Sequence, residues 1–359
     1  MISQGCTATS ATPPAAPSTS SRPASAALIH PSTRNGHLDA SSLPSQPASS
    51  LPTPAQILSD PERTRLSNLK NDVEVEALSG GLVVKRGRGL RVELVAIEWL
   101  KEKLGERKGE VPMPQYRGFY TQEGVDYLFF TRVPGESLEL HWPSLSPSAR
   151  QSILAQLRDI LRTLRSFTAP FLGRLNETQS YQLPWRPSTA YRSWEEWARA
   201  LKSAAGVEKE RWEQGGDLEE LLQRPGWASF SSSASTDQGP PPLGVLTHGD
   251  LAARNILISS PPSPASCPPS RSSSSPEDRP PPRILALLDW ECLEFAPPEL
   301  EYLRARREVE KGWTKGEAGE AARAILEVVR EVSVEGMGGG EEKGRRLERS
   351  WEWYGRMVM

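Results

Sequence analysis

Two short apolar runs, each ending at a carboxylate, constrain this chain more than any other feature. The first is Val245-Leu-Thr-His248-Gly-Asp250, which resumes after a polar interval as Asn255-Ile-Leu-Ile258; the second is Ile284-Leu-Ala-Leu-Leu-Asp289-Trp-Glu291. Runs this short, rich in Leu and β-branched residues, read as buried strands. Each strand then presents an acidic residue to a common cleft. Two carboxylates and an Asn form an oxygen-only set that suits a hard cation. Magnesium in particular takes one or two carboxylates and completes its shell with phosphate and water.

The spacing His248-x-Asp250-x-x-x-x-Asn255 matches the kinase catalytic loop, in which the Asp accepts the proton of the attacking hydroxyl and the Asn holds a metal ion. Asp289-Trp-Glu stands where kinases place Asp-Phe-Gly. Together, His-Gly-Asp-Leu with the following Asn and Leu-Leu-Asp-Trp-Glu resemble the aminoglycoside phosphotransferase and choline kinase group, the small-molecule branch of the protein-kinase-like fold. Gly249 discriminates, because protein kinases usually carry Arg at that position. The Leu251-Ala-Ala-Arg254 run is similar to tyrosine kinases, and Ala296-Pro-Pro-Glu299 to the end of an activation segment, yet it follows Asp289 too closely to enclose one.

The resemblance implies an α/β (α+β) two-lobed fold, with a small β-rich N-lobe over about 70–132, a hinge, and a larger helical C-lobe over about 135–359. It implies ATP-dependent phosphorylation of a hydroxyl on a small molecule. Asp250 would be the catalytic base, Asn255 and Asp289 would hold magnesium, and His248 would brace the loop. Lys85 ends the apolar strand Leu82-Val-Val after the turn Gly80-Gly81 and would position the phosphates of ATP. Its partner is Glu93 or Glu98 on the next helix; the order Glu93-Leu-Val-Ala-Ile97 resembles the family's helix better and favours Glu93. Backbone groups from Thr131 to Val133, where a β-prone run meets Val133-Pro-Gly135, would receive the adenine.

Composition narrows the alternatives. A net charge of −2 with 25% charged residues gives no electrostatic case for nucleic acid or an anionic membrane. No apolar stretch approaches the ~20 residues of a transmembrane helix. Cys6, Cys267 and Cys292 form neither a metal spacing nor a disulfide framework, which fits a reducing, cytoplasmic setting. Residues 1–54 are mostly Ser, Pro, Ala and Thr and read as a disordered tail; Arg22 and Arg34, with no acid before Asp39, leave organellar import as an alternative. The Pro- and Ser-rich stretch 259–282 reads as a disordered insertion within the domain spanning 55–359. Oligomeric state is left open.

Helical rhythm is expected from Ala55 to Leu69, over Arg91–Leu104, after the Ser146-Pro147 cap through Phe167, over Ser193–Ala204, over Pro298–Trp313 and Gly316–Val332, and over Leu347–Met357. Strands are expected over Val73–Leu78, Leu82–Lys85 and Tyr127–Thr131. Glu299 and Glu301 could meet a cationic substrate or stabilise and solvate a helix start. One departure stands out: no Gly-x-Gly-x-x-Gly precedes Lys85. It supports the rival reading of a pseudokinase, a nucleotide-binding scaffold without turnover.

Overall fold

The computed structural model describes residues 27–28, 51–66, 73–175, 190–193, 196–197, 200, 243–259, 281–310 and 317–335. Most of the 1–54 tail, most of the 259–282 insertion, most of Ser193–Ala204 and all of Leu347–Met357 lie outside the described residues. The two-lobed α/β arrangement is present. Strand β1 (Ala27–Leu28) pairs in parallel with a strand of the larger lobe. The continuous chain opens with Leu51, which is buried, and helix α1 (Pro54–Ser59). Thr53 and Gln56 form a capping box at its start.

The longer helix expected from Ala55 to Leu69 stops at Ser59 for a local reason. Asp60 precedes Pro61, and the residue before a proline is pushed out of the α region; Asp60 is extended at φ −65°, ψ 120°. Its carboxylate accepts the Ser79 N–H at 3.1 Å and the Ser79 hydroxyl at 2.7 Å. The helix end is thereby tied to the first hairpin.

Strands β2 (Thr64–Arg65), β3 (Glu74–Leu78), β4 (Leu82–Gly87), β5 (Tyr116–Gln122) and β6 (Val125–Thr131) form an antiparallel sheet in the order β2-β3-β4-β6-β5. Helix α2 (Arg91–Leu104) covers one face. Strand alternation divides the core: Leu128 and Phe130 of β6 join the α2 cluster, while Tyr127 and Phe129 pack outward on Leu51 and Ile57. The same alternation in β4 sends Val84 outward and Lys85 inward, toward α2.

Past β6 the chain forms β7 (Glu136–Ser137), the single turn α3 (Leu138–His141) and the long helix α4 (Pro147–Arg165). Ser146 caps α4, accepting the Ala149 N–H at 3.2 Å. Ile153, Leu157, Ile160, Leu161 and Leu164 make its buried stripe, each worth roughly 1.5–3 kcal/mol on full burial. Phe167, counted above in that stripe, instead opens strand β8 (Phe167–Ala169), followed by β9 (Gly173–Arg174).

Four strands then frame the cleft: β10 (Gly244–Thr247), β11 (Ile256–Ile258), β12 (Ile284–Leu287) and β13 (Glu294–Ala296). β10 pairs antiparallel with β13, and β11 with β12. The loop 248–255 joins β10 to β11 and the loop 288–293 joins β12 to β13, so the two pairings hold the loops side by side. At the far end of the β11–β12 ladder Ser259 and Arg283 exchange two bonds, both at 2.9 Å. Helices α5 (Leu300–Glu310) and α6 (Glu317–Glu335) complete the lobe. Trp99 of α2 meets Phe167 and Phe295 edge-on and so joins the lobes. Among the described residues no helix is long and apolar enough to cross a membrane.

Candidate active site

The loop 248–255 is built around His248, which is fully buried and packs on Trp290 with ring centroids 4.6 Å apart. Its Nδ1 accepts the Asp250 N–H at 3.2 Å, so the ring proton sits on Nε2, 3.1 Å from the Leu288 carbonyl. The histidine thus bridges both loops. Gly249 makes the turn at φ +82°, and a Cβ there would come within 2.7 Å of the Cys292 carbonyl and against the Arg304 guanidinium. The absence of Arg at this position therefore has a steric cause as well as the contrast drawn above. Gly249→Ala is expected to destabilise the fold by about 1–3 kcal/mol through backbone strain alone, read as a lower urea midpoint.

Asp250 is half-buried. Its Oδ2 accepts the Asn255 Nδ2 at 2.9 Å, and its Oδ1 lies 3.3 Å from the Arg254 Nη2. Asn255 is buried, and its Nδ2 also reaches the Asp250 carbonyl at 2.9 Å, which leaves Oδ1 as the atom able to face a cation. The Leu288 N–H on the Asn255 carbonyl, at 2.8 Å, continues the ladder by one residue and sets Asp289 beside this pair. Asp289 occupies the left-handed region at φ 60°, ψ 62°, a conformation that Asp tolerates better than most residues. An Asn amide oxygen and a carboxylate, with room for water and phosphate, fit Mg2+.

Lys85 is buried at the centre of an ion-pair cluster. Its Nζ lies 2.8 Å from Glu93, 2.9 Å from Asp289 and 3.4 Å from Glu291. Burial would drive this ammonium down, but the three carboxylates outweigh it and hold it above the ordinary lysine value. Glu93 is wholly buried, which pushes its carboxyl up against the opposing pull of Lys85. Glu98, the other candidate partner, pairs with Lys101 at 3.0 Å instead. At the hinge, the Thr131 N–H is taken by the Gln115 carbonyl at 2.8 Å and the Arg132 N–H by the Gly81 carbonyl at 2.7 Å. Thr131 is the last residue of β6, and Val133 follows two positions on.

A family model described as "Phosphotransferase enzyme family" matches residues 70–265. The chain belongs to that family. Its match takes in Lys85, Glu93 and the whole 248–255 loop, and stops before Asp289. Among solved structures this phosphotransferase is similar to a thermostable mutant of aminoglycoside phosphotransferase APH(4)-Ia in its apo form, at 13% identity over 82% of this chain and 92% of that one, with a TM-score of 0.43. It is also similar to an aminoglycoside-3'-phosphotransferase of type VIII, at 18% identity over 81% and 93%, TM-score 0.40. A streptomycin–ATP–APH(2")-IIa ternary complex matches at 14% identity over 84% and 85%, TM-score 0.45. No curated protein matches it.

Several residues around this candidate site make contacts that the sequence did not assign to them. Glu291 reaches Lys85; its place two residues after Asp289 was the available signal. Glu301 was expected to meet a substrate or solvate a helix start. It is buried, and accepts the N–H groups of His248 at 2.8 Å and Gly249 at 3.2 Å. Arg304 donates to the Gly249 carbonyl. Cys292 is buried beside this loop and its thiol is pushed up to about 12 by desolvation. Only the thiolate reacts, so Cys292 should resist iodoacetamide at pH 8 until denaturant is added, as peptide mass spectrometry would show.

Proposed function

We propose that this phosphotransferase moves the γ-phosphoryl group of ATP to a hydroxyl of a small molecule, with Asp250 as the catalytic base. The observation that carries the reading is the convergence of three separated elements on one spot: Asp250 and Asn255 on the first loop, Asp289 on the second, and the Lys85–Glu93 pair from the small lobe. In the step, the acceptor O–H gives its proton to Asp250. Its oxygen forms a bond to the γ-phosphorus while the bond from that phosphorus to the bridging oxygen breaks and ADP leaves.

The residues would divide the work as follows. Asn255 fixes one Asp250 oxygen, which leaves its own Oδ1 for a cation, and Asp289 would be the second ligand. A magnesium ion held by Asn255 and Asp289 would supply positive charge against the phosphates. Lys85, kept charged by its carboxylates, would contact the phosphates while Glu93 holds it in place. The Thr131 carbonyl and Val133 N–H would accept and donate to the adenine edge.

Calorimetric titration with ATP, with and without magnesium, tests the nucleotide half of this reading. Binding that requires magnesium is expected, after which a screen of hydroxylated small molecules would identify the acceptor. Failure to bind ATP at millimolar concentration, the weak end of the ordinary affinity scale, would overturn it in favour of a scaffold.

A further inference from the structure

We propose that Arg254 and Glu308 act as a positioning couple that aims the Asp250 carboxylate at the acceptor, an inference that rests on the phosphotransfer reading above. Arg254 spans two carboxylates: its Nη1 lies 2.8 Å from Glu308 and its Nη2 lies 3.3 Å from Asp250 Oδ1. Asn255 holds the other oxygen, Oδ2. The Asp250 carboxylate is therefore gripped on both oxygens from within its own loop, and one of the two gripping side chains, Arg254, is itself held by Glu308 from helix α5 outside the loop.

The outside grip belongs to a larger arrangement. Glu301, Arg304 and Glu308 stand three and four residues apart on α5, the spacing of a single helix face. Each touches the catalytic loop: Glu301 at the His248 and Gly249 amides, Arg304 at the Gly249 carbonyl, Glu308 at Arg254. The first two contacts fix loop backbone. The Glu308 contact is to a loop side chain, and that side chain touches Asp250.

A planar guanidinium bridging two carboxylates resists rotation in a way that a flexible ammonium does not. The side chains are 39% exposed for Arg254 and 18% for Glu308. This pair is thus better shielded than the fully exposed pairs that contribute little. With Glu308 absent, Arg254 is free to change rotamer or to close fully on Asp250, and in either case the base loses its direction. Misplacing a reacting group by about 1 Å can cost about 10²-fold in rate.

Four proteins decide it: parent, Arg254→Met, Glu308→Gln and the double variant. One readout is Mg·ATP hydrolysis with water as acceptor; the other is amide exchange of residues 250–255; ATP affinity is measured alongside. Arg254→Met is expected to slow hydrolysis about 10- to 100-fold and to speed local exchange, with ATP affinity unchanged. Glu308→Gln should move both readouts the same way, and the double variant should be no worse than Arg254→Met, because Glu308 works through Arg254. Parent-like hydrolysis and exchange in Arg254→Met would overturn the couple, as would single effects that multiply in the double variant. Should Arg254→Met not fold, Arg254→Lys takes its place, since it keeps the charge and loses the fork. A parent that hydrolyses no ATP speaks against the phosphotransfer reading instead, and exchange alone then decides the couple.

Discussion

Asp250→Ala should abolish turnover while leaving ATP affinity intact. In the proposed step the carboxylate accepts the hydroxyl proton, and a positioned general base is typically worth about 10² to 10⁴ in rate. Its hydrogen bonds run to Asn255 and Arg254, not to Lys85 or Glu93, so the Lys85–Glu93 pair should survive its removal. The comparison is single-turnover transfer from ATP in parent and variant, with calorimetry as the control. A variant as fast as the parent would remove Asp250 from the base role; one that also fails to bind ATP would show that the loop, rather than the proton transfer, had been lost.

Asp289→Ala should act on the other half of the reaction. Removing residues that merely support a metal ligand costs about 10- to 100-fold in affinity, and Asp289 is proposed as a ligand itself, so magnesium-dependent ATP binding should weaken by about 100-fold or more. Because Asp289 sits at φ 60°, Ala would also strain the backbone, and Asp289→Asn separates the two effects, since Asn tolerates that conformation and lacks the charge. Both variants also relieve Lys85 of one of its three carboxylates. Unchanged affinity in both would take Asp289 out of the metal site.

What could be foreseen from sequence followed from local rules. Helices α2 and α4 were legible because an apolar stripe repeats at helical spacing, and in α4 because Ser146-Pro147 marks the start. The helix after Ala55 was overextended, since a loose stripe was weighted above the veto that Pro61 places on Asp60. Asp250, Asn255 and Asp289 stood out by spacing within short motifs. The supporting residues did not. Glu308 lies 54 positions from Arg254 and Glu301 lies 53 from His248; in the charge-rich run Leu300-Glu-Tyr-Leu-Arg-Ala-Arg-Arg, nothing marks which side chains turn inward. Only the packing of α5 on the loop selects them.

The two bonds between Ser259 and Arg283 have a practical consequence. They seal the ladder at the end opposite the Asn255–Leu288 contact, so a change in chain length between residues 259 and 283 meets a closed pair of strands. Lengthening such a stretch costs only about 0.6 kcal/mol per doubling, and the sealed strands would carry little of that change to the chemistry. The position is therefore a natural cassette: a reporter domain spliced between residues 259 and 283 should leave phosphoryl transfer near its original rate.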